Sequence, residues 1–361
     1  MKKTACDILF LASLCIIILG LGVGIFILPQ KDFSQKENRA LESLPSASAQ
    51  NIIDGSYFEK LGEFYRDQIP LRDAFTSLCA LSERGIGKIE TNGVITTNDG
   101  ICIALPESIN TDKLQKNLDL IAKQNETYLY VPPRSFDVFE DRLPATYPKD
   151  EAKSALSLLN GETLENFLEL AGIANEEYYY KTDHHWTTKG AYFAYTQICK
   201  RLGIEAYPES HFVKEEVSTA FYGTSASKSG LPHLLISADS VTLYRYAGDE
   251  DITVENLETN ESKKGFYDYG ALESTDKYKV FLGGNYSHLS IRGEGEKEKL
   301  LLIKDSFANS VIPFLALHFD IEVIDPRYCP TGYVREQIDT NNIEKTLILM
   351  GFETLTTNFL N

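Results

Sequence analysis

The sequence predicts an α/β protein: a three-layer α/β/α domain built on a mainly parallel sheet, preceded by an N-terminal transmembrane helix. The last quarter of the chain contains uninterrupted apolar runs, which are typical of strands buried on both faces. Helical spacing alternates with such runs, and this alternation favours a layered domain. Near the amino terminus, Ile8–Leu28 is an uncharged apolar stretch of about 21 residues, the length of a membrane-spanning helix.

The stretch Ile8–Leu28 could cross the roughly 30 Å hydrocarbon core of a bilayer as a helix. Lys2 and Lys3 precede it and favour a cytoplasmic amino terminus, which places the rest of the chain outside the cytoplasm. A cleaved signal peptide is the alternative, although its apolar region is normally shorter than this one. We therefore predict a single-pass membrane anchor over residues 1–30.

The composition, 43% hydrophobic and 24% charged, is that of a globular protein able to bury a core. The formal net charge of −17 argues against a nucleic-acid partner, because no basic stripe offsets it. The same negative charge would repel a polyanionic glycan and therefore favours a neutral glycan as a partner. Two of the six cysteines lie in the N-terminal segment, and the other four show neither a CxxC pair nor zinc-ligand spacing, so we predict buried free thiols. We also predict no metal and no cofactor.

The chain divides by composition into a tether and a domain. Polar and turn-forming residues over 31–54 predict a tether, and helical spacing over 55–84 begins a domain that we place over 55–361. Asn-Gly and Asp-Gly flank β-prone residues in Asn92–Ile103 and predict a hairpin. The region around 206–277 is rich in Gly, Ser and acidic residues, and we interpret it as an insertion or lid.

Helices and strands alternate along the rest of the domain. Leu114, Leu118 and Ile121 predict one helix face, and the strand Thr127–Val131 follows it. Two further helices are predicted around Phe167 and Tyr195, the second capped by Thr187 or Thr188 and ended by Gly203. The last quarter contains the runs KVFLG, KLLLIKD, IEVID and TLILMG, with a helix predicted over Phe307–Phe319.

Ser306 stands where the run KLLLIKD passes into this predicted helix. In an open α/β sheet, ligands bind at the carboxyl ends of strands, where the helices begin. The free N–H groups and the positive end of a helix stabilise a nearby anion. Ser306 is therefore a candidate nucleophile in a position that favours an oxyanion, and a simple helix cap is the alternative.

The segment Lys181–Gly190 holds the only tryptophan and two of the six histidines. If its backbone is extended, Asp183 and His185 point to one side and His184 to the other, where it has a structural role. Asp183 could then fix the tautomer of His185, whose second ring nitrogen could take a proton from a serine. Trp186 would supply a low-dielectric wall or a face for a sugar ring to stack on.

Three interpretations of this segment compete: a metal site, one end of a catalytic triad, and a polar cluster that locks a turn. A metal ion needs three or four ligands that converge from suitable spacings, and Asp183, His184 and His185 are adjacent in sequence. There is also no HExxH motif. We favour the triad over the polar cluster and over the metal site.

Two further strand ends carry polar residues. Asn285 follows two glycines in FLGGN, where the backbone allows close approach and the amide could donate to an oxyanion; a tight turn is the alternative. Arg327 and Tyr328 follow the run IEVID and could hold hydroxyl or carboxyl groups of a substrate. A surface ion pair is the alternative for this pair of residues.

Several stretches together resemble the DHHW family of bacterial surface proteins. YYYKTDHHWTTKGAYFAY carries the signature that names the family, and five other stretches resemble its recurrent blocks: ENRALESLP, DQIPLRD, NGVITTNDGICI, FYGTSASKSG and LLIKDSFANSVIPFLALHF. The resemblance covers nearly everything from about Glu37 onward. This family is similar to the periplasmic alginate O-acetyltransferases, which have an SGNH-hydrolase-like domain and take their triad from an Asp-x-His pair and a later serine.

The resemblance implies an SGNH-hydrolase-like domain with Asp183 as orienting carboxylate, His185 as general base and Ser306 as nucleophile. It implies a membrane-anchored, extracytoplasmic O-acyltransferase that acetylates a cell-surface polysaccharide, and a membrane-bound partner that delivers acyl groups. The order Asp, His, Ser differs from that of ordinary SGNH hydrolases and matches the acetyltransferase-like branch. A carbohydrate esterase with the same triad and a non-catalytic glycan-binding or assembly protein are the alternatives.

Overall fold

The computed structural model describes most of the chain, and the chain divides into two compact units. The described residues are 2–34, 39–145, 147, 154–340, 343 and 345–360. The smaller unit comprises 1–92 and 230–232, and the larger unit comprises 93–229 and 233–361. The domain boundaries predicted at residues 30 and 54 stay predictions. All of the predicted site residues belong to the larger unit.

The smaller unit is mainly helical. Its first helix, α1 (Lys2–Ile27), includes a segment, Ala5–Ile27, that is long and apolar enough to cross a membrane, and a signal sequence would meet the same criterion. The elements that follow are β1 (Phe33–Ser34), β2 (Arg39–Ala40), α2 (Ala49–Ile53), α3 (Ser56–Gln68), α4 (Arg72–Gly85) and β3 (Glu90–Thr91). Pro70 separates α3 from α4 because proline has no N–H with which to continue a helix. The helical spacing predicted over 55–84 is confirmed, with this break.

Two pairs of antiparallel strands lie outside the main sheet of the larger unit. The first pair, β4 (Val94–Thr96) and β5 (Cys102–Ala104), confirms the predicted hairpin. The second pair is β7 (Val213–Phe221) and β8 (Asp239–Arg245), whose register is irregular around Ser218. Both β7 and β8 come from the region 206–277.

The main sheet of the larger unit has seven strands and is mixed. Its strands are β6 (Thr127–Tyr130), β9 (Thr253–Asn256), β10 (Glu261–Lys264), β11 (His288–Arg292), β12 (Glu298–Lys304), β13 (Phe319–Ile324) and β14 (Lys345–Leu349). They lie in the spatial order β10, β9, β11, β13, β12, β14, β6. The four strands from β13 to β6 are parallel, and β11, β9 and β10 continue the sheet antiparallel.

The parallel arrangement that the sequence predicts therefore holds for four strands of the seven. β9 and β10 are joined by the short turn 257–260, and a connection of this length joins only antiparallel neighbours. A parallel pair needs a longer crossover, and the segment between β12 and β13, which carries Ser306, is such a crossover.

Apolar residues cover both faces of β12. Leu300 and Leu302 belong to one buried cluster, which includes residues of the helix Thr188–Leu202, while Leu301 and Ile303 belong to a second cluster. The helices of the larger unit are α5 (Thr111–Ile121), α6 (Ser135–Val138), α7 (Gly161–Ile173), α8 (Thr188–Leu202), α9 (Thr224–Ser229), α10 (Ile312–Leu315), α11 (Tyr333–Thr340) and α12 (Phe352–Leu355). The continuous apolar character of β12 is thus explained by burial on both sides.

Two predicted elements are wrong. The run KVFLG is not a strand, because a 3₁₀ helix occupies Lys277–Val280 and Leu282 then has a φ of +67°, which extended backbone does not allow. The single helix predicted over Phe307–Phe319 is instead a 3₁₀ helix, Ser306–Ser310, followed by α10. Pro313 cannot donate an N–H to an earlier turn, so a continuous α-helix is interrupted at this point.

Candidate active site

Asp183 and His185 lie on a bent loop. The loop is closed by two main-chain hydrogen bonds, from the Tyr180 N–H to the His185 carbonyl at 3.2 Å and from the Thr187 N–H to the Tyr178 carbonyl at 2.8 Å. Within it, Asp183 Oδ1 accepts the N–H of His185 at 3.0 Å. The backbone is not extended here, so the condition for alternating side chains is not met. The two side chains meet because an aspartate accepts the N–H two residues ahead and so folds the chain back on itself.

The structure brings the three residues of the predicted triad into hydrogen-bond distance. Asp183 Oδ1 lies 2.5 Å from His185 Nδ1, and His185 Nε2 lies 2.8 Å from Ser306 Oγ. Asp183 and His185 are buried, with exposed fractions of 1% and 5%, whereas Ser306 is partly exposed. A buried carboxylate and imidazole therefore meet the hydroxyl of a residue that is partly exposed.

Thr224 holds the second oxygen of Asp183. Oδ2 accepts the main-chain N–H of Thr224 at 2.7 Å and its hydroxyl at 2.9 Å. The preceding residue is Gly223, where a Cβ atom would lie only 2.3 Å from the Asp183 side chain. Glycine is required there because the backbone must approach the carboxylate this closely.

Asp183 is held in its charged form. Burial alone would raise the pKa of its carboxyl, but His184, His185 and the N–H of Thr224 together hold that pKa well below its ordinary value. With Oδ1 facing His185 and Oδ2 facing Thr224, the carboxylate has partners on both oxygens. It can therefore fix the proton of His185 on Nδ1 and leave Nε2 as the acceptor that faces Ser306.

Aromatic rings fix the plane of His185. The ring of Tyr278 stacks on it with centroids 3.9 Å apart and an interplanar angle of 6°, and Phe307 meets it edge-on at 5.1 Å. The Tyr278 hydroxyl donates to the Ser306 carbonyl at 3.2 Å. Tyr278 thus contacts both His185 and the main chain of Ser306.

His184 does not point away from the site as predicted. Its ring centroid lies 3.8 Å from that of His185, and its Nδ1 lies 2.7 Å from the hydroxyl oxygen of Thr224. The side chain is 41% exposed. Partial burial and the neighbouring His185 lower the pKa of His184, so its imidazole is neutral near pH 7. The bent loop, which does not alternate its side chains as a strand does, explains the difference.

Asp305 shapes the segment that carries Ser306. Its Oδ1 accepts the N–H of Phe307 at 3.0 Å, and its Oδ2 accepts the N–H of Gly351 at 2.7 Å. Asp305 is the cap of the 3₁₀ helix, and this leaves the Ser306 hydroxyl for His185. Burial raises the pKa of the Asp305 carboxyl. Because the helix that follows is so short, the predicted dipole of a longer helix is not present at Ser306.

Trp186 supports the same segment from inside the core. Its indole N–H donates to the Phe307 carbonyl at 3.0 Å and to the Ser310 hydroxyl at 2.9 Å. The side chain is fully buried. It therefore has no face open to a sugar ring, and of the two predicted roles only the apolar wall agrees with its position.

Asn285 and Lys304 belong to one buried network beside Ser306. The Lys304 ammonium is almost fully buried and donates to Asn285 Oδ1 at 2.9 Å and to Asn309 Oδ1 at 2.8 Å. Burial lowers the pKa of Lys304, and the carboxylate of Asp325, at 3.3 Å, opposes that shift. Because an ammonium only donates, the Asn285 oxygen faces Lys304 and the amide nitrogen is directed elsewhere.

Arg327 and Tyr328 differ in their surroundings. The Arg327 guanidinium makes a bidentate contact with Asp325, at 2.9 Å and 2.7 Å, and Asp325 is completely buried. The ion-pair interpretation therefore fits Arg327, although its partner lies in the interior and not on the surface. Tyr328 is exposed, and the Arg327 guanidinium lies 5.6 Å from the centre of its ring.

The competing metal interpretation has a geometric basis. Donor atoms of Asp183, His184 and His185 lie within 4.8 Å of one another. Hydrogen bonds already engage both nitrogens of His185, both oxygens of Asp183 and Nδ1 of His184. These contacts match the donors and acceptors of a hydrogen-bonded triad.

Sequence reasoning missed Thr224, Tyr278 and Lys304. Thr224 lies in FYGTSASKSG, one of the stretches that resemble the family, and that resemblance was the available signal. Tyr278 precedes the run that was wrongly predicted as a strand, and Lys304 is a charged residue at the end of an apolar strand. No spacing rule connects these positions to Asp183.

The fold and the site define a mixed α/β protein with a serine, a histidine and an aspartate in one chain of hydrogen bonds. Residues 165–324 match the DHHW protein family model, and this match confirms the resemblance predicted from the sequence. The matched residues include the Asp-His-His-Trp segment and Ser306. A search of the curated proteins found no match.

Solved structures share the fold. A DHHW family protein from Eubacterium siraeum aligns with a TM-score of 0.60 at 22% identity, over 74% of this chain and 94% of that one. Bacillus cereus PatB1 with a sulfonyl adduct aligns with a TM-score of 0.59 at 17% identity, over 74% of this chain and 99% of PatB1. At these identities the likeness establishes the fold alone.

Proposed function

We propose that this protein is a membrane-anchored, extracytoplasmic O-acyltransferase that acetylates a cell-surface polysaccharide through Ser306, His185 and Asp183. The observation that carries the proposal is the chain of contacts from Asp183 Oδ1 through His185 to Oγ of Ser306, a residue that is partly exposed. The resemblance to the DHHW family and to the alginate O-acetyltransferases supports acetyl as the group transferred. It also supports an SGNH-hydrolase-like, three-layer architecture for the larger unit.

In the first step, Ser306 Oγ attacks the carbonyl carbon of an acetyl ester. His185 Nε2 takes the hydroxyl proton, and Asp183 stabilises the imidazolium that forms. The tetrahedral intermediate collapses when the ester C–O bond breaks, and His185 returns the proton to the leaving oxygen. The products are acetyl-Ser306 and the free alcohol of the donor.

In the second step, a sugar hydroxyl attacks the carbonyl carbon of acetyl-Ser306. His185 Nε2 takes the proton of that hydroxyl, the bond from the carbonyl carbon to Ser306 Oγ breaks, and Oγ recovers a proton from His185. The acetylated sugar leaves and the enzyme is unchanged. In this proposal a membrane-bound partner supplies acyl groups across the bilayer, and α1 keeps the protein close to that partner.

In this proposal the oxyanion of both tetrahedral intermediates accepts hydrogen bonds from two donors, the Ser306 N–H and the Asn285 amide nitrogen. Lys304 supports the second assignment, because it holds the Asn285 oxygen and so directs the amide nitrogen away from the network. Arg327 and Tyr328 lie in a 3₁₀ helix, Pro326–Tyr328, just after β13, and are proposed to contact the substrate. Arg327 would contact the substrate through the guanidinium N–H groups that its bidentate pairing with Asp325 does not use.

In the direct test, the full chain in detergent micelles is incubated with 4-nitrophenyl acetate as donor and neutral oligosaccharides as acceptors. We expect release of 4-nitrophenol together with acetylated sugar, both lost in Ser306→Ala and retained in Ser157→Ala, a matched change at an exposed serine. Acetate without acetylated sugar would identify a carbohydrate esterase. No release above the Ser306→Ala background would contradict the catalytic proposal and favour a glycan-binding or assembly role.

A further inference from the structure

His184 shares a carboxylate with the proposed base. Asp183 Oδ1 faces His185, while Oδ2 accepts the hydroxyl of Thr224, and that same hydroxyl oxygen lies 2.7 Å from His184 Nδ1. Two imidazoles are therefore connected to Asp183, one directly and one through a threonine. His185 is buried, and His184 has 41% of its side chain exposed.

The contacts determine which nitrogen of His184 carries its proton. Thr224 has one hydroxyl proton, and the charged Asp183 oxygen at 2.9 Å is the stronger acceptor for it. The Thr224 oxygen must then accept from His184, so the His184 proton is on Nδ1. Nε2 is left as an acceptor, and it has no hydrogen-bond partner among the residues that the structure describes.

We propose that His184 is a specificity-determining residue, whose Nε2 accepts a hydrogen bond from the hydroxyl adjacent to the one that is acetylated. The inference rests on the proposed function, in which His185 Nε2 takes the proton of the attacking hydroxyl. The two rings have centroids 3.8 Å apart and are tilted by 39° to each other. Two nitrogens that close can serve two neighbouring hydroxyls of one acceptor, once the serine that His185 Nε2 faces carries the acetyl group.

The charges around His184 narrow the class of acceptor. The carboxylates of Asp305 and Glu353 also interact electrostatically with His184, in addition to that of Asp183. A neutral imidazole among carboxylates suits hydroxyl donors and disfavours an anionic group. The group that His184 recognises is therefore a hydroxyl, and the acceptor is a sugar or polyol with adjacent hydroxyls.

The experiment is a competition between two acceptors that differ by one hydroxyl. The full chain in detergent receives 4-nitrophenyl acetate with equal amounts of 1,2-propanediol and 1-propanol. Gas chromatography compares the primary acetate of the diol with propyl acetate, so that one primary hydroxyl is counted in each acceptor. For wild type we expect the diol ester to exceed propyl acetate by roughly fivefold, the value of one ordinary hydrogen bond. His184→Phe keeps a ring against His185 without a nitrogen, and its ratio should fall to about one, the value for no selection between the acceptors.

Two control variants separate recognition from a structural role. His184→Gln offers a carbonyl oxygen and should recover part of the preference, and His211→Ala, at an exposed histidine, should keep the wild-type ratio. A variant that merely disturbs the site would lower both esters equally and keep the ratio, which would overturn the inference. A wild-type ratio of one would also overturn it. Acetate without either ester, or no 4-nitrophenol at all, would instead contradict the proposed acyl transfer itself.

Discussion

At the scale of single residues, Asp183 is the group on which the site depends. It contacts His185 through one oxygen and Thr224 through the other, and these contacts keep its carboxylate charged although it is buried. A neutral amide at this position would present an N–H to one of these partners and favour the wrong tautomer of His185. Its charge therefore matters both for the proposed chemistry and for stability.

We predict that Asp183→Asn lowers acetyl transfer by about 10³-fold or more, as expected when the imidazole tautomer is lost. The folded-state pKa of Asp183 is depressed below the ordinary value of 3.8, so its stabilising contribution is present above about pH 4 and is lost as the pH falls toward the folded-state pKa. Urea unfolding at pH 7 and pH 3 measures this. The stability gap between wild type and variant should be larger at pH 7.

Asp112→Asn is the matched control, because Asp112 is exposed in the first turn of α5. It should leave both activity and the pH dependence of unfolding at wild-type values. If Asp183→Asn retained most of the transfer rate, Asp183 would not orient the base. If the stability gap widened as the pH fell, the assignment of a depressed pKa would be wrong.

At the scale of elements, the site is assembled from separate loops that the sheet and its neighbours hold together. The loop with Asp183 and His185 precedes α8, and Ser306 follows β12. Gly223 lies between β7 and α9, and Thr224 is the first residue of α9. The close approach of Gly223 to Asp183 connects the region 206–277 directly to the proposed triad. That region, which we interpreted as an insertion or lid, therefore supplies part of the site.

We predict that Gly223→Ala reduces acetyl transfer by at least about 10²-fold, since a Cβ atom 2.3 Å from the Asp183 side chain forces that carboxylate to move. Gly172→Ala is the matched control. Gly172 lies in α7 with nothing within 4 Å of an added Cβ atom, so this change should leave activity intact and slightly raise the thermal unfolding temperature. Equal activity of the two variants would show that the approach of Gly223 has no functional role.

The hydrogen bond from Lys304, at the end of β12, to Asn285, in the loop before β11, is the basis of a second prediction at this scale. Asn285→Ala should lower kcat by about 10²-fold with little change in KM, as expected for one lost oxyanion donor. Lys304→Met should produce a similar loss through Asn285. It should also lower stability, because among the described residues the Asp325 carboxylate then keeps only Arg327 as a hydrogen-bond partner.

The double variant distinguishes an indirect role for Lys304 from an independent one. If Lys304 acts by holding Asn285, Asn285→Ala with Lys304→Met should cost little more kcat than either change alone. Fully additive losses would mean that the two residues act separately. An unchanged kcat in Asn285→Ala would remove Asn285 from the oxyanion site.

At the scale of the whole molecule, the sequence could predict the parallel strands that are buried on both faces and the helices with clear apolar spacing. β6, β12, β13, β14, α5, α7 and α8 were predicted because their burial leaves a periodic or continuous apolar pattern. The antiparallel half of the sheet was missed. Its strands β9 and β10 are partly exposed, and their charged residues carry no such pattern.

The same limit applies to the site. Asp183, His185 and Ser306 were recognisable because their residue types suit acid–base and nucleophilic chemistry and because a family resemblance connects them. Tyr278 and Thr224 become relevant only through long-range contacts, with the ring of His185 and with a carboxylate 41 residues away in sequence. Local pattern cannot reveal contacts of that kind, since tertiary packing alone decides them.

The N-terminal helix is the basis of a prediction about membrane topology. Residues Ala5–Ile27 are apolar enough to span a membrane, and we expect the full chain to remain in the membrane pellet after carbonate extraction. A variant that begins at Asp32 should be released into the soluble fraction. Amino-terminal sequencing of the purified protein checks the alternative, because a mature chain that begins after residue 28 would identify a cleaved signal peptide.

The central claim is that Ser306 carries the acetyl group between donor and acceptor. The most direct measurement is intact-mass spectrometry of the full chain quenched in acid after brief exposure to 4-nitrophenyl acetate, followed by peptide mapping. We predict one added acetyl group, mapped to Ser306, absent in Ser306→Ala and strongly reduced in His185→Ala. An acetyl group on another residue, or the same adduct in Ser306→Ala, would contradict the account.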